Sequence, residues 1–186
     1  MHAGGTLEQP PCVSIGVPVR NGELYLDRAL ASLLAQDFTD FEVLICDNVS
    51  TDRTVAIAEA WAAKDPRVRV FRNEVNIGAE PNFSRVFTLA RGRYFRWAAH
   101  DDLIDPQYLG RCVAALESAP DAVLSNSWVN IIDDQDRVIG FYDGGVAGAY
   151  STDIAERFAA LVLSRHLCTD LFGVMLGQIP SDVLVV

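Results

Sequence analysis

An α/β domain with a mostly parallel sheet and helices on both faces is what the sequence predicts, and three observations carry the prediction. Apolar segments of period two alternate with segments of period 3.6. Four such strand-then-helix units follow one another, each about 25 to 35 residues long, the length of a crossover between parallel strands. Each strand-like run is followed at once by a polar cluster, as the carboxyl ends of strands in an open sheet require when they line a binding crevice.

The first strand is read at Val13-Ser-Ile-Gly-Val-Pro-Val19, and Leu26, Leu30, Leu33 and Leu34 then recur at the spacing of a buried helix face. Phe41-Glu-Val-Leu-Ile-Cys46 is the second strand, before a helix bearing Val55, Ala58, Trp61 and Ala62. A third strand, Val68-Arg-Val-Phe71, leads through a polar loop to a helix with Phe83, Val86, Phe87 and Ala90 on its inner face. Tyr94-Phe-Arg-Trp-Ala-Ala99 is the fourth strand. Asp105-Pro106 then starts a helix, with Pro at its first position and Leu109, Cys112, Val113 and Leu116 as its stripe.

A fifth strand is expected at Ala122–Ser125. After it the rhythm changes: Trp128–Ile132 and Val138–Tyr142 flank the acidic turn Asp133-Asp-Gln-Asp136 and read as a hairpin. A Gly-rich loop, Gly144–Gly148, precedes a helix with Ile154, Phe158, Leu161 and Val162 on one side. The run Val183–Val186 ends without a finishing helix, so the reading is a chain truncated at its C-terminus. One domain over residues 12–186, behind a flexible segment 1–11, is the expected organisation.

Fifteen Lys and Arg against twenty-five Asp and Glu give a net charge of -10, a field that repels nucleic acid and anionic lipid. No run reaches the ~20 apolar residues of a membrane helix, and the first ten residues lack a signal peptide's basic end and apolar run. The expected location is therefore cytoplasmic. Cys12, Cys46, Cys112 and Cys168 lack metal spacing and are expected as reduced thiols, and the sequons at Asn48 and Asn82 are read as coincidence.

Neither G-x-G-x-x-G after the first strand nor G-x-x-x-x-G-K-[ST] occurs, so no Rossmann dinucleotide site or P-loop is supported. The polar clusters instead are Pro18-Val-Arg-Asn21, Asp47-Asn-Val-Ser-Thr-Asp52, Asn73-Glu-Val-Asn-Ile-Gly78 and His100-Asp-Asp102. Asp47 can accept the ring N–H of a pyrimidine base, or simply open a turn with Asn48. Asp101 and Asp102 are adjacent carboxylates that call for a cation. Mg2+ or Mn2+, which binds few protein carboxylates and fills its shell with water and phosphate oxygens, suits them. Asp105 reads as a helix cap, Asp133, Asp134 and Asp136 as a solvated turn, and His100 as a strand-end residue.

Val13-Ser-Ile-Gly-Val-Pro-Val-Arg-Asn21, Leu30-x-x-Leu-Leu-x-Gln36, Phe41-Glu-Val-Leu-Ile-Cys-Asp47 with Ser50-Thr-Asp52, Asn76-x-Gly78 with Asn82, Gly92-x-Tyr94, and His100-Asp-Asp102 with Pro106 stand in that order. Together they resemble the inverting glycosyltransferases of family 2, over about residues 12–128. The resemblance implies the GT-A fold, a Rossmann-like sheet with a small hairpin after the metal motif. It implies a nucleotide-binding half at about 12–128 and the start of an acceptor-side half at about 129–186. A UDP- or dTDP-sugar would be the donor and a saccharide, lipid-linked or other glycan the acceptor, in polysaccharide biosynthesis at the cell envelope.

By the same resemblance Pro18, Val19, Arg20 and Asn21 line the nucleotide, Asp47 meets the base, and the loop at Asn76 and Gly78 closes over the nucleoside. Asp101 matches the last Asp of the family's D-x-D metal motif and so touches both donor and metal, with Asp102 beside it. Three positions depart from the pattern: Ala99 replaces the motif's first Asp, Arg20 an aromatic, and Val49 a glycine. The catalytic base is expected beyond Val186, with Asp170 the weaker candidate inside the chain and Asp182 the other carboxylate of that stretch. Association with the inner membrane face through an acceptor or partner, and self-association, stay open. The alternatives are a non-catalytic sugar-nucleotide-binding domain and a nucleotidyltransferase.

Overall fold

In the computed structural model, residues 9–122, 124, 125, 127, 129–142, 184 and 185 are described. The strands are β1 (Val13–Val19), β2 (Phe41–Asp47), β3 (Val68–Arg72), β4 (Tyr94–Trp97), β5 (Val129–Ile132), β6 (Val138–Tyr142) and β7 (Leu184–Val185). The helices are α1 (Leu26–Leu34), α2 (Thr54–Lys64), α3 (Ala79–Thr88) and α4 (Tyr108–Ser118). The main sheet runs β3-β2-β1-β4-β7 with every pairing parallel.

Every residue of β1 and β2 is buried, as strands covered on both faces must be. Val13, Ile15, Val17, Val43 and Ile45 form one core with Leu26, Leu30 and Leu33 of α1, Ala58 of α2, and Leu109, Cys112 and Leu116 of α4. Leu44, Cys46, Phe95 and Trp97 face the other way and pack with Val86 of α3. Gly16 lets that second layer close, because a Cβ there would stand 2.7 Å from Phe95 Cζ and 3.0 Å from Val86 Cγ1.

Alternate β1 residues address opposite neighbours. Val13 N–H donates to Asp40 O (3.2 Å) and Asn48 N–H to Val19 O (2.9 Å) on the β2 side, while Tyr94 N–H reaches Cys12 O (2.9 Å) and Ala98 N–H reaches Gly16 O (2.8 Å) on the β4 side. Pro18 falls on the β4 side and has no N–H, so the β1–β4 ladder ends at Gly16–Trp97 while β1–β2 runs on to Val19–Asp47. The strands part at their carboxyl ends. That gap lies where the chain, having laid β2 and β3 to one side of β1, crosses to lay β4 on the other, the switch point at which open sheets hold ligands.

Two expectations are corrected. Ala122, Leu124 and Ser125 are irregular, and the place beside β4 is taken by Leu184–Val185 from the terminal apolar run. Four apolar residues carry no periodicity that separates strand from loop, so which run pairs with the edge is a tertiary outcome. Regular helix also begins at Tyr108 rather than Pro106, and Asp105 caps a preceding turn through Gln107 N–H (2.9 Å). The hairpin β5–β6 forms as expected. Asp133 accepts from Gln135 N–H (2.9 Å) and Arg137 N–H (3.0 Å), and Asp136 pairs with Arg28 of α1. Gly144–Gly148, the helix at Ile154–Val162, Cys168, Asp170, Asp182 and most of segment 1–11 lie outside the described residues. The other three cysteines are free thiols.

The amino-terminal edge is locked by a buried carboxylate. Glu42, 3% exposed, accepts from Ser14 Oγ (2.8 Å), from Arg91 Nη2 (2.8 Å) and Nε (3.2 Å), and from Arg69 Nη1 (3.2 Å). Ser14 Oγ accepts Gly92 N–H (2.8 Å), and a Cβ on Gly92 would meet Ser14 N at 2.6 Å, which accounts for the Gly92-x-Tyr94 motif as packing. Burial pushes the Glu42 carboxyl up, but the bonds from Arg91, Ser14 and Arg69 outweigh it and hold it below its ordinary value. Its contribution to stability is thus complete above about pH 4.3 and is lost as pH falls through the lower folded value. Glu42→Gln is expected to cost about 2–3 kcal/mol at pH 7 and to flatten the acid limb of stability against pH, measured by urea unfolding from pH 3 to 7.

Candidate functional site

Three loops at the carboxyl edge are tied together by side chains. Asn21, in the left-handed region at φ 55, donates its N–H to Ser50 Oγ (2.9 Å) and accepts Thr51 N–H on Oδ1 (2.9 Å). Gly22 N–H donates to Thr54 Oγ1 (2.8 Å), Glu23 N–H to Asp52 Oδ2 (3.1 Å), and Arg53 N–H to Glu23 Oε2 (3.0 Å). Burial pushes the Asp52 carboxyl up, yet its bonds from the Thr54 hydroxyl, the Thr54 N–H and the Glu23 N–H hold it below its ordinary value. Ser50-Thr-Asp52 is therefore a brace between the first two loops, a role the sequence marked only as a motif.

Asp47 is 2% exposed at the end of β2, and both its oxygens accept Ser50 N–H, at 3.3 and 3.2 Å. The turn with Asn48 that the sequence offered as one reading does form. It leaves further lone pairs on the carboxylate, so base recognition is compatible with it. The third loop is drawn in by asparagines: Asn73 Nδ2 donates to Asn48 Oδ1 and to Asn82 Oδ1 (both 2.9 Å), and Asn82 Nδ2 to Cys46 O (2.9 Å). Asn76 Oδ1 accepts from Asn48 Nδ2 (2.8 Å) and Gly78 N–H (3.0 Å). Asn48 and Asn82, the two sequon residues, are each 3% exposed and engaged, consistent with reading the sequons as coincidence.

Across the gap, the loop after β4 carries His100-Asp-Asp102. His100 packs on Gly22, where a Cβ would stand 2.6 Å from His100 Cδ2, so the two sides of the crevice touch. The far end of this loop is held by α1: Ser32 Oγ accepts Ile104 N–H (3.2 Å), and buried Gln36 donates to Asp105 O (2.8 Å) while accepting Leu109 N–H (2.9 Å). Asp101 and Asp102 stand exposed between those anchors. Although the residue is open to solvent, partial burial pushes the Asp102 carboxyl above its ordinary value. The charge of Asp101 adds to this, and Arg96 and His100 oppose it.

The sequence reading missed Arg96. Its Nε–H donates to Trp97 O (3.2 Å), its guanidinium lies 4.4 Å from the Tyr108 ring centre, and its Nη1 is buried with no partner among the described residues. A charged residue inside an apolar strand was the only signal for it. Burial pushes the Tyr108 hydroxyl up to about 12.

Among the described residues no three His, Cys, Asp or Glu side chains gather into a metal-sized cluster. Asp101 and Asp102 would thus give an ion two carboxylates and leave its other positions to water and phosphate oxygens, a donor set that fits Mg2+ or Mn2+. Pro18 and Val19 are buried in the strand that flanks the gap, and Arg20 and Asn21 are exposed at its mouth. Asp170 lies outside the described residues.

Val49 adopts φ 61, a conformation costly for a β-branched residue and open to a glycine. Val49→Gly is expected to raise stability by about 1 kcal/mol, strain relief exceeding the entropy cost of glycine, and Tm by about 2–4 °C in a thermal scan.

The profile of a family described as glycosyl transferase family 2 matches residues 14–143. Chondroitin synthase of Escherichia coli is 38% identical over 108 residues, covering 58% of this chain and 16% of that protein. The structure of S. aureus TarS 1-349 in complex with UDP-GlcNAc superposes with a TM-score of 0.54 at 26% identity, over 64% of this chain and 40% of that one. A mannosyltransferase of Pyrobaculum calidifontis in complex with GDP-Man and Mn2+ shares the fold at TM-score 0.54 and 22% identity, over 69% and 38% of the two chains. This chain spans less than half the length of each of these proteins.

Proposed function

The chain belongs to glycosyl transferase family 2, and from that membership we propose that it forms the donor-binding part of an inverting glycosyltransferase that uses a UDP- or dTDP-sugar. The observation that carries the proposal is the crevice at the switch point. Pro18–Asn21 and the acidic loop His100–Asp102 face each other across the gap that the β1–β4 ladder leaves, with Asp47 at the end of the adjoining strand. The TarS complex with UDP-GlcNAc supports a uridine donor.

In this reading Asp47 accepts the base N–H, residues 74–78 cover the nucleoside, and Arg20 offers its cation to the diphosphate. A divalent cation held by Asp101, with Asp102 beside it, would supply positive charge against the departing diphosphate. The acceptor is a saccharide, lipid-linked or other glycan. The base that takes its proton as the anomeric carbon inverts belongs to the acceptor-side half from about residue 129 onward, Asp170 or a carboxylate beyond Val186. One observation favours the second reading, a non-catalytic sugar-nucleotide-binding domain: Ala99 stands in place of the first carboxylate of the metal motif.

Calorimetric titration of this chain with UDP and dTDP, with and without Mn2+, against GDP and NAD, tests the proposal. Mn2+-dependent binding of a pyrimidine diphosphate and not of the controls is expected. No binding of either pyrimidine diphosphate would sink it. Asp101→Asn is expected to weaken UDP binding by about tenfold or more and to remove its Mn2+ dependence. Parental affinity in that variant would remove the metal assignment.

A further inference from the structure

Asn48 commits every hydrogen-bonding position of its carboxamide to one loop. Oδ1 accepts from Asn73 Nδ2 (2.9 Å) and Ile77 N–H (3.0 Å), and Nδ2 donates to Asn76 Oδ1 (2.8 Å) and Gly78 O (3.0 Å). Its own N–H donates to Val19 O (2.9 Å), and Asn73 N–H donates to Asp47 O (2.9 Å), so the hub sits rigidly between the ends of β1 and β3. What it holds is surface chain: Glu74, Val75, Asn76 and Gly78 are exposed, Val75 at 66%. Apolar burial does not keep that segment in place, and the buried residues of α3, Asn82 and Val86, begin beyond it.

Three of these bonds run from a buried side chain to the surface segment 76–78 beside Asp47, and the fourth ties the same carboxamide to buried Asn73. We propose that Asn48 is a positioning residue for the donor. Through these bonds it sets the separation of residues 74–78 from the Asp47 carboxylate, and with it the affinity for a pyrimidine nucleoside diphosphate. The inference rests on the donor reading above. It requires a carboxamide at this position, because an ionised carboxylate accepts only and would turn its oxygen toward Asn76 Oδ1 and Gly78 O.

The test is UDP affinity in the presence of Mn2+, with amide hydrogen exchange of the same samples. Asn48→Asp is expected to weaken UDP binding about tenfold or more and to speed exchange at Ile77 and Gly78, while the β1 and β2 amides keep their protection. Asn76→Ala, on the exposed loop, weakens binding in the same direction, and the double variant loses less than the product of the two single losses. Parental UDP affinity in folded Asn48→Asp, with the loop amides exchanging faster, overturns the inference and leaves the donor reading standing. Where Asn48→Asp does not fold, parental affinity in Asn76→Ala overturns it instead. Failure of the parental chain to bind UDP removes the donor reading and this inference together.

Discussion

The carboxyl edge of this sheet depends on one missing hydrogen-bond donor. A central parallel strand ordinarily bonds to both neighbours along its length, and proline is excluded from it. Pro18 is tolerated because it stands two residues past the last β1–β4 pair, Gly16–Trp97, on the side that faces β4. With no N–H there, the backbone has nothing with which to continue the pairing. The β1–β4 pairing ends three residues before the β1–β2 pairing does, and the gap falls at the switch in strand order.

A gap made this way has to be walled without a core beneath it, and the walls are polar. The first two loops are joined by bonds between Asn21, Gly22, Glu23 and Ser50, Thr51, Asp52, Thr54, and the third is joined to the second through Asn48 and Asn73. Each of these bonds is worth only about 1 kcal/mol net. Their number and their sequence separation turn three segments of different crossovers into one surface. The opposite edge uses the same device differently: Glu42 joins β1, β2, β3 and the loop before β4 with a charge. The amino-terminal edge is thus closed by one ion cluster, and the carboxyl edge is held open at a set width by amides.

The acidic loop carries the remaining charge logic. Anchored to Gly22 at one end and to Ser32 and Gln36 at the other, it presents Asp101 and Asp102 side by side, and among the described residues neither forms an ion pair. Arg96 and His100 offset their repulsion from a distance, and Arg96 is itself held against the face of Tyr108. Carboxylates arranged so are suited to an ion shared with a phosphate.

Periodicity alone determined the four parallel strands and their helices, since a strand buried on both faces needs a continuous apolar run and a helix on a sheet needs a stripe. The order of polar clusters after each run determined that a site would lie on one edge, and the motifs over Val13–Pro106 determined the family. Tertiary structure decided the rest. The place beside β4 goes to Leu184–Val185 while Ala122, Leu124 and Ser125 stay irregular, an outcome of backbone pairing that no side-chain pattern encodes. Ser50, Asp52 and Asn82 stood in the sequence as motif residues and Asn48 as a turn partner of Asp47, and packing gave each a partner from a distant segment. The sequence placed Pro18 within the first strand and, by family resemblance, at the nucleotide, and only the register of β4 shows what it does there: the donor it lacks is the one whose absence opens the crevice.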